Sequence, residues 1–75
     1  MKFSDLKAGQ KARITAVGKG DMVYRQRLIA MGLLPGTEFN VSRVAPLGDP
    51  IEIQVRGFAL SLRKAEAGML AIEVI

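Results

Sequence analysis

The sequence contains no cysteine, no histidine and no tryptophan. Without cysteine there is no disulfide to staple the fold and no thiolate cluster to hold zinc or iron. Without histidine, the commonest transition-metal ligand and the commonest general base are both missing. Aromatic residues are limited to one Tyr and three Phe, which leaves nucleic-acid bases little to stack on. The net charge of +4 comes from 11 basic and 7 acidic residues scattered singly, a poor footprint for a nucleic-acid surface. No apolar run approaches the roughly 20 residues of a membrane span; the longest lies around Leu28 to Leu34. Met1-Lys2 leads into Phe3-Ser4-Asp5 rather than an apolar signal core. These absences predict a soluble cytoplasmic protein with no catalytic residues, no cofactor, no metal ligands and no nucleic-acid partner.

What is present is apolar. Of 75 residues, 49% are hydrophobic, enough for the core of one small domain spanning residues 1–75. Residues 11–17 (KARITAV) alternate polar Lys11, Arg13 and Thr15 with Ala12, Ile14 and Ala16, the period of a strand with one wet face. Residues 37–44 alternate with Phe39 and Val41 on one side, and IEIQV (51–55) and FALSLR (58–63) alternate cleanly. A two-residue turn at Arg56-Gly57 pairs Val55 with Phe58, Ile53 with Leu60 and Ile51 with Leu62, which puts six apolar side chains on one face. KAEAG (64–68) suits a single helical turn. MLAIEVI (69–75) reads as the last strand, with Leu70, Ile72 and Val74 inward. In the first segment, FSDLKAGQ, Leu6 is the expected anchor.

Between the first two strands lies a helix of about ten residues. Asp21 stands at the N-cap position. Tyr24, Leu28 and Met31 recur at helical spacing and are expected to be buried. Gly32 ends the helix in the left-handed conformation, Leu33 folds back on Leu28, and Leu34-Pro35-Gly36-Thr37 fits a type II turn into the next strand. The expected fold is mainly β, a small barrel of about five antiparallel strands with one short helix inserted between the first and second.

Chemistry is sparsely supplied. The seven carboxylates are dispersed, and Glu38, Glu52 and Glu73 fall on outward strand positions. Gly18-Lys19-Gly20 lacks the remainder of a phosphate loop. Met22, Met31 and Met69 read as core or edge packing. Two features point to protein contact instead. Arg25 and Arg27 lie outward on the helix, where a double reversal to Glu is expected to leave folding nearly unchanged. Leu47 stands in a Pro/Gly/Asp loop with no strand face to hide in. The outer strand surface around Arg56 and Arg63 is the next choice for a contact face.

LKAGQKARI, then RQRLIAMGLLPG, then GDPIEIQVRGFALSLRKAEAGMLAIEV together resemble the FeoA family, small cytoplasmic components of bacterial ferrous iron uptake. The strongest pieces are Arg27-Leu28, Met31-Gly32-Leu33 and Pro35-Gly36, with the closing pattern of Gly57, Leu60, Leu62, Glu66 and Ala67. The resemblance implies an SH3-like barrel. It implies a partner as well: the cytoplasmic part of a FeoB-type inner-membrane ferrous transporter with a G-protein domain, which this chain would support or regulate. The chain would then be peripheral to the membrane through that partner. The alternative is a small-ligand- or metal-responsive regulatory domain similar to the C-terminal domain of iron-dependent repressors. There the domain is fused to a DNA-binding module, and a chain beginning at Met1 without one favours the adaptor.

Overall fold

Strands form where apolar and polar residues alternate. In the computed structural model, which describes residues 3–75, they are β1 (Lys11–Val17), β2 (Glu38–Val44), β3 (Ile51–Val55), β4 (Phe58–Leu62) and β5 (Leu70–Val74). All pairings are antiparallel, and the order across the sheet is β4-β3-β2-β1-β5. Helix α1 (Met22–Ala30) joins β1 to β2, and the single turn α2 (Lys64–Ala67) joins β4 to β5. Residues from all five strands meet in one apolar core with Leu28 and Leu33. A sheet that buries one face of every strand in a common core must curl around it, as a small barrel does. At the N-terminus a 3₁₀ turn (Phe3–Asp5) brings Phe3 onto Phe39, with ring centroids 5.4 Å apart and nearly parallel. Leu6 is buried beside it as expected.

The β3–β4 hairpin has the register that the alternation predicts: Val55 opposite Phe58, Ile53 opposite Leu60 and Ile51 opposite Leu62. Arg56 and Gly57 both take positive φ, 51° and 87°, the twist that joins two strands through two residues. The face is less uniform than expected. The three β3 residues and Leu62 are buried, but Leu60 is half-buried and Phe58 is 47% exposed, because β4 lies at the sheet's edge. Val74 is likewise exposed, not inward, at the end of the opposite edge strand. Ala16 is exposed too. The pairing of β1 with β5 shifts between Ile14 and Ala16, and one extra residue in a strand turns the next side chain to the other face.

The helix is built as its sequence directs. Asp21 Oδ1 accepts from the Val23 and Tyr24 amides at 2.9 and 3.1 Å. At the other end Gly32, at φ +84°, donates to the Ile29 carbonyl, and Leu33 donates to that of Leu28. Those two bonds make a Schellman cap. Leu28 and Leu33 are both fully buried. Thr37 then donates to Leu34 across the Pro35-Gly36 turn, with Gly36 at φ +92°. Only Leu28 of the expected helix face is fully covered. Met31 is partly buried against the core, Tyr24 is half-exposed, and Met22, expected to pack, is 63% exposed. Met22 lies in the first turn, away from the core-covering end of the helix.

Candidate functional site

Helix α2 is one turn long, too short to hold itself together, and its N-terminus is secured from two directions. The Lys64 amide donates to Asp49 Oδ1 at 3.0 Å, which draws in the loop between β2 and β3. The Arg63 amide donates to Glu66 Oε1 at 3.3 Å. Glu66 at the third helical position thus reaches back to the N-cap amide, one half of a capping box. The N-cap side chain is an arginine with no acceptor atom, so the other half is missing, and Asp49 takes up a different first-turn amide, that of Lys64.

The same carboxylate faces α1. Glu66 is buried, and its Oε2 lies 3.4 Å from Arg27 Nε in an ion pair, with no hydrogen bond to that oxygen. A buried carboxylate needs such a partner, since an uncompensated charge away from water is costly. Around these groups lies a cleft of about 270 Å³ lined by Arg27, Asp49, Pro50, Ser61, Arg63 and Glu66. A second hollow of about 230 Å³, on the outer sheet face, is lined by Arg43, Ala45, Pro50, Glu52 and Ser61. Elsewhere on that face Glu38 pairs with Lys11 and Arg13, and Arg13 with Glu73. These are solvated ion pairs of small net worth.

Of the three residues expected at a contact surface, Arg27 and Leu47 belong to the neighbourhood of the cleft. Arg27 lines it, and Leu47, 93% exposed, stands on the same loop as Asp49 and Pro50. Arg25 does not line it and is not simply outward. It is half-buried, with its Nε shielded and without a hydrogen-bond partner. The expectation that reversing both arginines leaves folding nearly unchanged is therefore revised, because Arg27→Glu would set a second carboxylate against buried Glu66. Pattern reading left out Asp49 as a contributor to this site. Its cue was weak: a lone acidic residue in a turn gives no sign of capping a helix 15 residues on. Among the described residues, no three or more Asp or Glu side chains are grouped to hold a metal ion.

Comparison with known proteins fits this architecture. The FeoA domain family model matches residues 1–74. A Porphyromonas gingivalis protein named as a fusion of Fe(2+) transport protein A with the Fe(2+) transporter FeoB is 35% identical over 75 residues, all of this chain. This chain spans only 9% of that protein's length. Among solved structures, FeoA of Chlorobium tepidum is 41% identical with a TM-score of 0.87, over 100% of this chain and 70% of that one. FeoA of Stenotrophomonas maltophilia, solved with zinc and described as an SH3 domain protein, is 25% identical with a TM-score of 0.83, over 97% and 89%. The fold alone extends further, to T. acidophilum IdeR at 20% identity and a TM-score of 0.89, covering 34% of that chain. By its match over residues 1–74 and by its five-stranded SH3-like architecture, the chain belongs to the FeoA domain family.

Proposed function

We propose that this chain is an accessory domain of ferrous iron uptake, residues 1–75 acting as one unit, that binds the cytoplasmic part of a FeoB-type transporter. It acts by contact and performs no catalytic step of its own. The observation that carries this reading is the P. gingivalis relative, where a segment matching the whole chain is part of the same polypeptide as FeoB. Fusion holds two domains at a high effective concentration, an arrangement suited to domains that work against each other. In a chain without a membrane-spanning helix among its described residues, a site of action at the membrane is supplied by the partner.

The contact surface we assign is the side bearing Arg27 and Leu47; Arg25, two residues from Arg27 on the helix, is turned away from it. Leu47 is nearly bare at a loop tip, the form of an apolar anchor that a partner pocket would take up. The test is binding calorimetry between this chain and the soluble cytoplasmic part of a FeoB-type transporter. Leu47→Ser is expected to melt with the parent and to bind about tenfold more weakly, the loss that goes with one buried leucine. Unchanged affinity would move the contact to another face. No binding by the parent chain would overturn the adaptor reading in favour of a ligand-responsive regulatory domain, which the likeness of fold to repressor domains supports.

A further inference from the structure

The sheet has two edges, β4 and β5, and they differ. The 3₁₀ turn lies against β5, and β5 carries a charge at Glu73. Strand β4 reads Phe-Ala-Leu-Ser-Leu, with no charge and no proline. Charges, prolines and covering segments are the usual means by which a sheet edge is kept from pairing with another chain, and within β4 the first two are missing.

The hairpin register shows which backbone groups are open. In a two-residue hairpin the residues flanking the turn exchange hydrogen bonds, and the exchange recurs every second residue. Phe58, Leu60 and Leu62 therefore spend their amides and carbonyls on Val55, Ile53 and Ile51. The N–H and C=O of Ala59 and Ser61 point away from β3. Both residues are exposed, and no loop or cap hydrogen bond among the described residues reaches either. Next to this open ladder, Phe58 and Leu60 are incompletely covered, so the barrel face stops short at the same edge.

Charge marks both ends of the strand. Arg56 precedes β4 and Arg63 follows it. Neither guanidinium makes a hydrogen bond or ion pair among the described residues. At the Arg63 end the edge opens on the cleft, where Ser61 and Arg27 also lie. The carboxylates of that cleft are already engaged, Asp49 with the Lys64 amide and Glu66 with the Arg63 amide and Arg27.

We propose that the free edge of β4 receives an extended acidic peptide segment of the partner as a sixth strand, paired to Ala59 and Ser61, with carboxylates against Arg56 at one end and Arg63 at the other. Five strand residues span roughly 17 Å, so the segment is about that long, with Asp or Glu near both ends. Strand addition draws its affinity from main-chain hydrogen bonds and its selectivity from the flanking side chains, and forked guanidinium–carboxylate contacts suit the flanks found here. This inference rests on the adaptor reading, since the segment would belong to the transporter's cytoplasmic part.

The test is amide hydrogen exchange on the whole chain, with and without the soluble cytoplasmic part of a FeoB-type transporter. In the complex the Ala59 and Ser61 amides are expected to slow at least tenfold. Ser61→Pro removes one outward donor at an edge position where proline is tolerated, and is expected to weaken binding about tenfold. Arg63→Gln is expected to weaken it about threefold and to flatten its salt dependence. Binding without new protection at Ala59 and Ser61 would overturn the strand proposal and leave the adaptor reading standing. Absence of binding would overturn both. Protection that appears in the free chain as its concentration rises would show that a second copy occupies the edge, which also overturns the proposal. Should Ser61→Pro fail to fold, the exchange result on the parent decides.

Discussion

At Gly32 the absence of a β-carbon decides where α1 stops. Its φ of +84° is one that a side chain rarely adopts, and the nearest atom to an added Cβ would be Arg56 Nη1 at 3.2 Å. That atom is the tip of a flexible side chain and can move aside. The cost of substitution is thus backbone strain rather than crowding. Gly32→Val is expected to destabilise by about 1–3 kcal/mol, because a β-branched residue tolerates the left-handed region worst. Gly20, with open space around it and no positive φ, is the control: Gly20→Ala should be neutral or slightly stabilising. Chemical denaturation of both variants measures the difference. Equal stability would mean that the chain re-forms the helix end without the Schellman bonds.

Helices α1 and α2 meet through the Arg27–Glu66 pair, and this contact separates charge from shape. Arg27→Gln leaves Glu66 without its cation but adds no repulsion. Arg27→Glu brings a like charge to a buried carboxylate, and should lower stability by about 1–2 kcal/mol more than the glutamine. Thermal melting of the pair of variants checks this. Equal losses would show that Glu66 rests on the Arg63 amide alone. The elements themselves were legible in the sequence. Asp21, Gly32 and Pro35-Gly36 bound α1 through local chemistry, and the Arg56-Gly57 turn sets the β3–β4 register through alternation. Coverage was less legible. Phe58 and Val74 share the apolar pattern of their strands, but pattern alone does not reveal which strand ends a sheet. Ala16 is turned outward by a register shift that only its partner β5 makes visible. Of the candidate site, the loop setting of Leu47 was readable but its exposure was not. A leucine with no strand face can stand out as a tip or tuck over the barrel mouth, and the structure shows it standing out. The Asp49–Lys64 and Arg27–Glu66 contacts join residues 15 and 39 apart, and no local signal marks either.

Across the whole molecule, the stock of metal ligands is reduced to carboxylates, thioethers and backbone oxygens. Where two carboxylates do share a cleft, at Asp49 and Glu66, two guanidiniums share it with them, and positive charge there disfavours a cation. Anaerobic calorimetric titration of the chain with Fe²⁺ is therefore expected to show no stoichiometric binding at micromolar concentration. A tight one-to-one isotherm would place a site elsewhere on the surface. The route of the chain around α1 has a consequence of another kind. It leaves β1 at Gly18, whose amide donates to the Met69 carbonyl at 2.7 Å, and returns at Gly36, whose amide donates to the Ile14 carbonyl at 2.7 Å. Departure and return are thus both clipped to the sheet, while Leu28 and Leu33 anchor the middle of the helical segment in the core. Exposed positions of this segment that bear on neither Glu66 nor the core, such as Met22, Val23 and Gln26, are therefore separable from strand pairing, and substitutions there should alter the surface without altering the fold.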